Sequence, residues 1–254
     1  MASLPWRGPL GELGWKGRFK YDSKEVVALR AQLQEKAGIR GLQIVDACEY
    51  GFAERAAQLF HRDGFVLVSN VLDAQRQRTI QQGCDTVIRK MLEQDPARLG
   101  NRGSHRYSFG NAPAYFGFAR EWSVLIDPPA VLATLEAIYG TPDFYCAGYG
   151  GDFVLPGCVE YQHLHMDIDD YLHDPTGRLD FRDLPPTLIS VNYPMIVVPG
   201  ATGAHTTFNG ATRQIPGTQN SRQKIPSLDE EPPWMKLSTT APVPAGCAMI
   251  STYV

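Results

Sequence analysis

Glu160-Tyr-Gln-His-Leu-His-Met-Asp-Ile-Asp-Asp170 gathers two of the chain's six histidines and four acids into one short run. Read as a β-strand, its two-residue period sets Tyr161, His163, His165, Asp167 and Asp169 on one face, and Gln162, Leu164, Met166 and Ile168 on the other. One face is apolar and the other is a row of ligands. His165 and Asp167 then send an imidazole and a carboxylate to the same side, two of the three groups of a 2-His-1-carboxylate iron site. Such a triad leaves coordination positions open for a co-substrate and for oxygen. The chain's other His-x-Asp, His61-Arg-Asp63, reads as a helix end before Gly64, where positions two apart diverge, so it is not read as a ligand pair.

On either side of this run the character of the chain differs. Beyond Phe144, short β-favouring runs at 144–149, 152–155, 159–168, 187–198, 212–215 and 245–251 are separated by Gly and Pro. Before it, apolar spacing predicts helices from Ser23 (Val26, Leu29, Leu33), over 54–61, over 76–93 behind Asp73 as a cap, and over 129–139 ending at Gly140. Phe65-Val-Leu-Val68 reads as a buried strand. Residues 1–22, rich in Gly and Pro, read as an extended arm. The remainder, 23–254, reads as one domain: a helical layer over 23–140 on a β core over 141–254. The aromatic and basic stretch 100–117 reads as a long loop, and Arg102, His105, Arg106 and Tyr107 are its candidates for contact with substrate.

Composition narrows the function classes. With 254 residues, 43% hydrophobic and 20% charged, the chain has globular composition, and its net charge of −3 offers no basic field for nucleic acid or an anionic membrane. No apolar run approaches the ~18 residues of a spanning helix, and residues 1–9 lack the apolar stretch of a secretory signal. The expectation is a cytoplasmic protein with no nucleic-acid or membrane partner. Five scattered cysteines without a C-x-x-C pair suggest neither a disulfide framework nor a thiolate zinc site.

Three segments together resemble the phytanoyl-CoA dioxygenase family. Phe60-His-Arg-Asp-Gly-Phe-Val-Leu-Val-Ser-Asn-Val-Leu72 is similar to its entry segment, and Tyr161-Gln-His-Leu-His-Met-Asp167 to its iron-binding strand. Asn209-Gly-Ala-Thr-Arg-Gln-Ile-Pro-Gly-Thr218 is similar to its later Asn-Gly-x-Thr stretch, and the likeness covers about residues 50 to 250. The resemblance implies a mainly β fold with N-terminal helices, a double-stranded β-helix of the jelly-roll, cupin-like kind. It also implies a dioxygenase that uses Fe(II), 2-oxoglutarate and molecular oxygen to oxidise a small organic molecule. His165 and Asp167 match the first two iron ligands; Gln162 and Thr212 stand where relatives contact 2-oxoglutarate.

The same resemblance implies a second iron-binding histidine, and an arginine for the co-substrate, beyond an Ala-Gly-x-x-x-Ile strand. Here Pro244-Ala-Gly-Cys-Ala-Met-Ile250 is followed by Ser-Thr-Tyr-Val254, and neither residue is present. The expectation is a chain that lacks the last strand, read first as a piece of a longer enzyme. His205 as a replacement ligand, and His163 with His165 as a cupin-like zinc pair, are the other readings. From a different class, the chain could be an inactive jelly roll serving as a binding module.

Overall fold

The computed structural model describes Lys24 and residues 43–109, 119–156, 158, 162–168, 174–195, 212–235, 237–239, 243 and 245–252. The arm, all but Lys24 of the helix expected from Ser23, and His205 lie outside the described residues.

The first element is a strand, β1 (Ile44–Asp46), followed by helix α1 (Phe52–Asp63). Ala56, Ala57, Leu59 and Phe60 recur at helical spacing and are all buried, which gives α1 one apolar face. Gly64 ends it in the left-handed region (φ 84°), donating its N–H to Phe60 O. Strand β2 (Phe65–Ser69) then runs parallel to β1, pairing Ile44 with Leu67 and Asp46 with Ser69, so α1 serves as the crossover. The longest helix, α2 (Ala74–Gln94), begins where the sequence places its cap: the Asp73 carboxylate accepts the N–H groups of Gln75 and Arg76. A short strand β3 (Arg106–Ser108), helix α3 (Arg120–Ser123) and helix α4 (Pro129–Tyr139) follow, and Gly140 closes α4 as expected.

In the second half, β4 (Asp152–Val154) pairs antiparallel with β3, with Tyr107 opposite Phe153. A 3-10 turn (Phe181–Asp183) capped by Asp180, strand β5 (Ile189–Asn192), helix α5 (Glu231–Met235) and strand β6 (Ala248–Thr252) complete the described elements. The larger sheet has the order β1-β2-β6-β5, with β6 antiparallel to both of its neighbours. The described residues thus form a four-stranded and a two-stranded sheet and no closed barrel.

Both faces of the central pair are covered. Val66 and Val68, with Ile250 and Ala248 across the ladder, join α1 and α4 in the main core. Leu67 and Met249 face the other way, with Val243 and Cys247. A second core sets Ile80, Cys84 and Val87 of α2 against Trp122 and Phe109. Such two-sided burial is why β2 reads as a continuous apolar run rather than an alternation. Among the described residues no helix is long and apolar enough to cross a membrane.

Three expected strands differ: 212–215 contributes only an isolated bridge, Gln214 to Thr239. Residues 144–149 are irregular, and the described part of 159–168 joins no ladder. The alternation itself persists over 163–168, with His163, His165 and Asp167 exposed and Leu164, Met166 and Ile168 half-buried. What replaces the ladder is a side chain: Leu164 N–H donates to the carboxylate of Glu231, an acceptor a neighbouring strand would have supplied.

Candidate metal-binding segment

Hydrophobic contacts hold the His-x-Asp segment in a small cluster around Trp234. Leu164 packs with Ile215 and Leu237 around Trp234. Gln214, next to Ile215, forms a bridge to Thr239 and donates to Met249 Sδ at 3.8 Å. The two motif segments that stand far apart in sequence, 162–168 and 212–215, therefore meet over one tryptophan. Glu231, 1% exposed in the first turn of α5, pins Leu164 from the same side.

With Leu164 and Met166 turned inward, His165 and Asp167 project outward together. His165 Nε2 stands 3.1 Å from Asp167 Oδ1. On its other edge, His165 Nδ1 lies 2.7 Å from the backbone oxygen of His163. A carbonyl only accepts, so Nδ1 carries the proton, and in the neutral ring Nε2 presents its lone pair. That lone pair faces a carboxylate oxygen, which is also an acceptor. In that tautomer the same nitrogen also accepts from the Gln162 amide, 2.9 Å away, and a metal ion taken up between Nε2 and the carboxylate would displace that donor.

Gln162 departs from the strand reading, which put it on the face opposite His165. The bend at Leu164 brings its amide round, and Gln162 Nε2 lies 2.9 Å from His165 Nε2. Thr212 is exposed, three residues before Ile215 in the tryptophan cluster. The rings of His163 and His165 meet edge-on with centroids 6.0 Å apart. Among the described residues, no group of three His, Cys, Asp or Glu side chains is placed to hold a metal ion. Tyr161 and Asp169, on the expected ligand face, lie outside the described residues.

The other singled-out positions separate into packing and surface. Tyr107 is 3% exposed, stacks on Phe153 at 4.7 Å and donates its hydroxyl to Asp95 Oδ2 at 2.7 Å. Arg102 is exposed, its N–H bonded to Arg106 O; His105 adopts φ 63° beside Ser104, whose Oγ lies 2.8 Å from its Nδ1. These four residues close a tight β3 turn. Asp63 of the other His-x-Asp is committed to Arg62, with paired contacts of 2.8 and 2.7 Å. Glu231 was not singled out from sequence; an acid before Pro-Pro-Trp gives no sign that it will be buried. No protein-family model matches the chain, and no curated protein matches it.

Proposed function

We propose that the chain is an oxygenase of the phytanoyl-CoA dioxygenase kind, with His165 and Asp167 as two ligands of a ferrous ion and a double-stranded β-helix as its core. The observation that carries the reading is the 3.1 Å approach of His165 Nε2 to Asp167 Oδ1. Bonds of about 2.1 Å to nitrogen and oxygen, meeting at a right angle on one ion, set two ligand atoms ~3.0 Å apart. The donors suit a divalent metal in a second respect. Ligating imidazoles commonly donate their other N–H to a carbonyl or carboxylate, as His165 Nδ1 does to His163 O.

Ferrous iron with 2-oxoglutarate supplies the oxidising chemistry when both are bound. The chain's own share is orientation. The His163 carbonyl fixes the tautomer of His165, and Glu231 and the Trp234 cluster hold the segment that carries both ligands. Gln162, beside Nε2, and Thr212 are the residues proposed to position the co-substrate. A small organic substrate and molecular oxygen complete the reaction.

Anaerobic titration with ferrous ion tests the assignment. The chain is expected to bind the ion at least ten-fold more tightly than a double variant carrying His165→Ala and Asp167→Ala. Equal indifference of both proteins ends the iron reading. Succinate formation from 2-oxoglutarate under air then separates an oxygenase from a metal-bound binding module.

A further inference from the structure

The outer face of α2 carries a shallow groove lined by Asp85, Ile88, Arg89, Leu92, Glu93 and Arg98, all from the helix itself and the turn that follows it. Helical spacing puts Ile88 and Leu92 on one stripe, with Asp85, Arg89 and Glu93 along one flank of it. The two apolar side chains are half-buried and the three charged ones are exposed. Ile80, Cys84 and Val87 turn the neighbouring face of α2 into the core, with Ile88 at its margin.

Along the groove the charges alternate: Asp85 negative, Arg89 positive, Glu93 negative, Arg98 positive. They are not spent on each other, since among the described residues no ion pair joins any of the four. Asp85 accepts the Gln81 amide at 2.8 Å, and Arg98 donates through Nη1 to the carbonyls of Leu92 and Asp95, which fastens its guanidinium at the end of α2. A string of four alternating charges has every sign inverted when it is read backwards. A second copy laid antiparallel therefore opposes each charge with its opposite, whereas a parallel copy in register opposes like with like.

We propose that this face of α2 is a docking surface for a second copy of the chain, the two helices antiparallel about a two-fold axis near Met91. In that register Arg89 comes level with Glu93 of the second copy, and Asp85 approaches its Arg98 beyond the helix end. The same register interleaves Ile88 and Leu92 of both copies at steps of about 3 Å, two residues' rise, so one alignment satisfies the charges and the apolar stripe together. Contact through one helix per copy lies at the small, transient end of interface sizes, which sets the expected dissociation constant on the order of 10–100 µM.

The test is sedimentation equilibrium of the full chain in about 50 mM salt, where exposed charges are weakly screened. Dimerisation is expected, weakened at least ten-fold in Arg89→Glu and in Glu93→Arg, each of which sets like charges against one another. The two variants mixed should pair with each other at least as tightly as the unaltered chain pairs with itself, because each then meets its opposite at both positions. A chain that stays monomeric up to about 300 µM leaves the face to some other protein and overturns the proposal. Variants that self-associate like the unaltered chain, or a mixture that associates no more tightly than its parts, overturn it as well. Should either variant fail to fold, the unaltered chain decides through salt: about 0.5 M screens exposed pairs and should weaken the dimer several-fold, and an unchanged or tighter dimer overturns the assignment. Neither His165 nor Asp167 takes part, so any of these failures leaves the iron titration unaffected.

Discussion

Glu231 places a carboxylate where water does not reach, and that carboxylate accepts the Leu164 N–H. Replacement by Ala leaves that amide without its acceptor, a loss of about 1–3 kcal/mol for a buried unsatisfied group. Urea denaturation of Glu231→Ala is expected to show it, with Glu231→Gln milder because the amide oxygen still accepts. Asp174 is the opposite case, an exposed carboxylate crowded with donors. The Thr176 hydroxyl first, then the backbone N–H groups of Thr176, Leu179 and Arg178, hold its pKa down at about 2, against an ordinary 3.8. A depressed carboxylate stabilises the turn fully above its ordinary pKa, and the contribution is lost as pH falls through about 2. Protection of the Arg178 and Leu179 amides, taken relative to their intrinsic exchange rates, should therefore fall on acidification between pH 4 and 2, and Asp174→Ala should abolish that dependence.

Helix α2 shows two small effects in competition at Gly83. In a helix interior Ala is favoured over Gly by ~1 kcal/mol. Yet a Cβ on Gly83 would come within 2.8 Å of Glu121 Cβ, an atom fixed to the α3 backbone rather than the end of a flexible chain. Overpacking of that kind costs about 1–3 kcal/mol, so Gly83→Ala is expected to be net destabilising, read as a lower thermal midpoint. The short helices α3 and α5 were not anticipated, whereas helices α1, α2 and α4 were the legible part of this sequence. Their ends carry local signals, Asp73 for α2 and Gly140 for α4, and those signals act on the residues beside them. The pair His165 and Asp167 was legible for the same reason, since two-residue spacing sufficed to place both outward. The ladder around them was not, because Leu164 is met by Glu231, 67 residues away. Neither was the position of Gln162, which a bend at Leu164 decides, nor the packing role of Tyr107, which Asp95 and Phe153 decide.

Across the molecule, the strand that closes the larger sheet sits in its middle. Ala248 and Ile250 are 0% exposed and reach the α1 side between β2 and β5. Ile250→Ala is expected to cost about 2–5 kcal/mol in chemical denaturation, the range for a large side chain lost from a tight core. Its ladder partner, Val66, is made early in synthesis. A ribosome delivers β1, α1 and β2 long before residues 248–252 emerge, so the nascent chain holds an open, oily strand edge throughout that interval. Chaperone demand should accordingly be concentrated before translation reaches Thr252, and a pause placed between codons 70 and 245 should raise aggregation more than one placed after them.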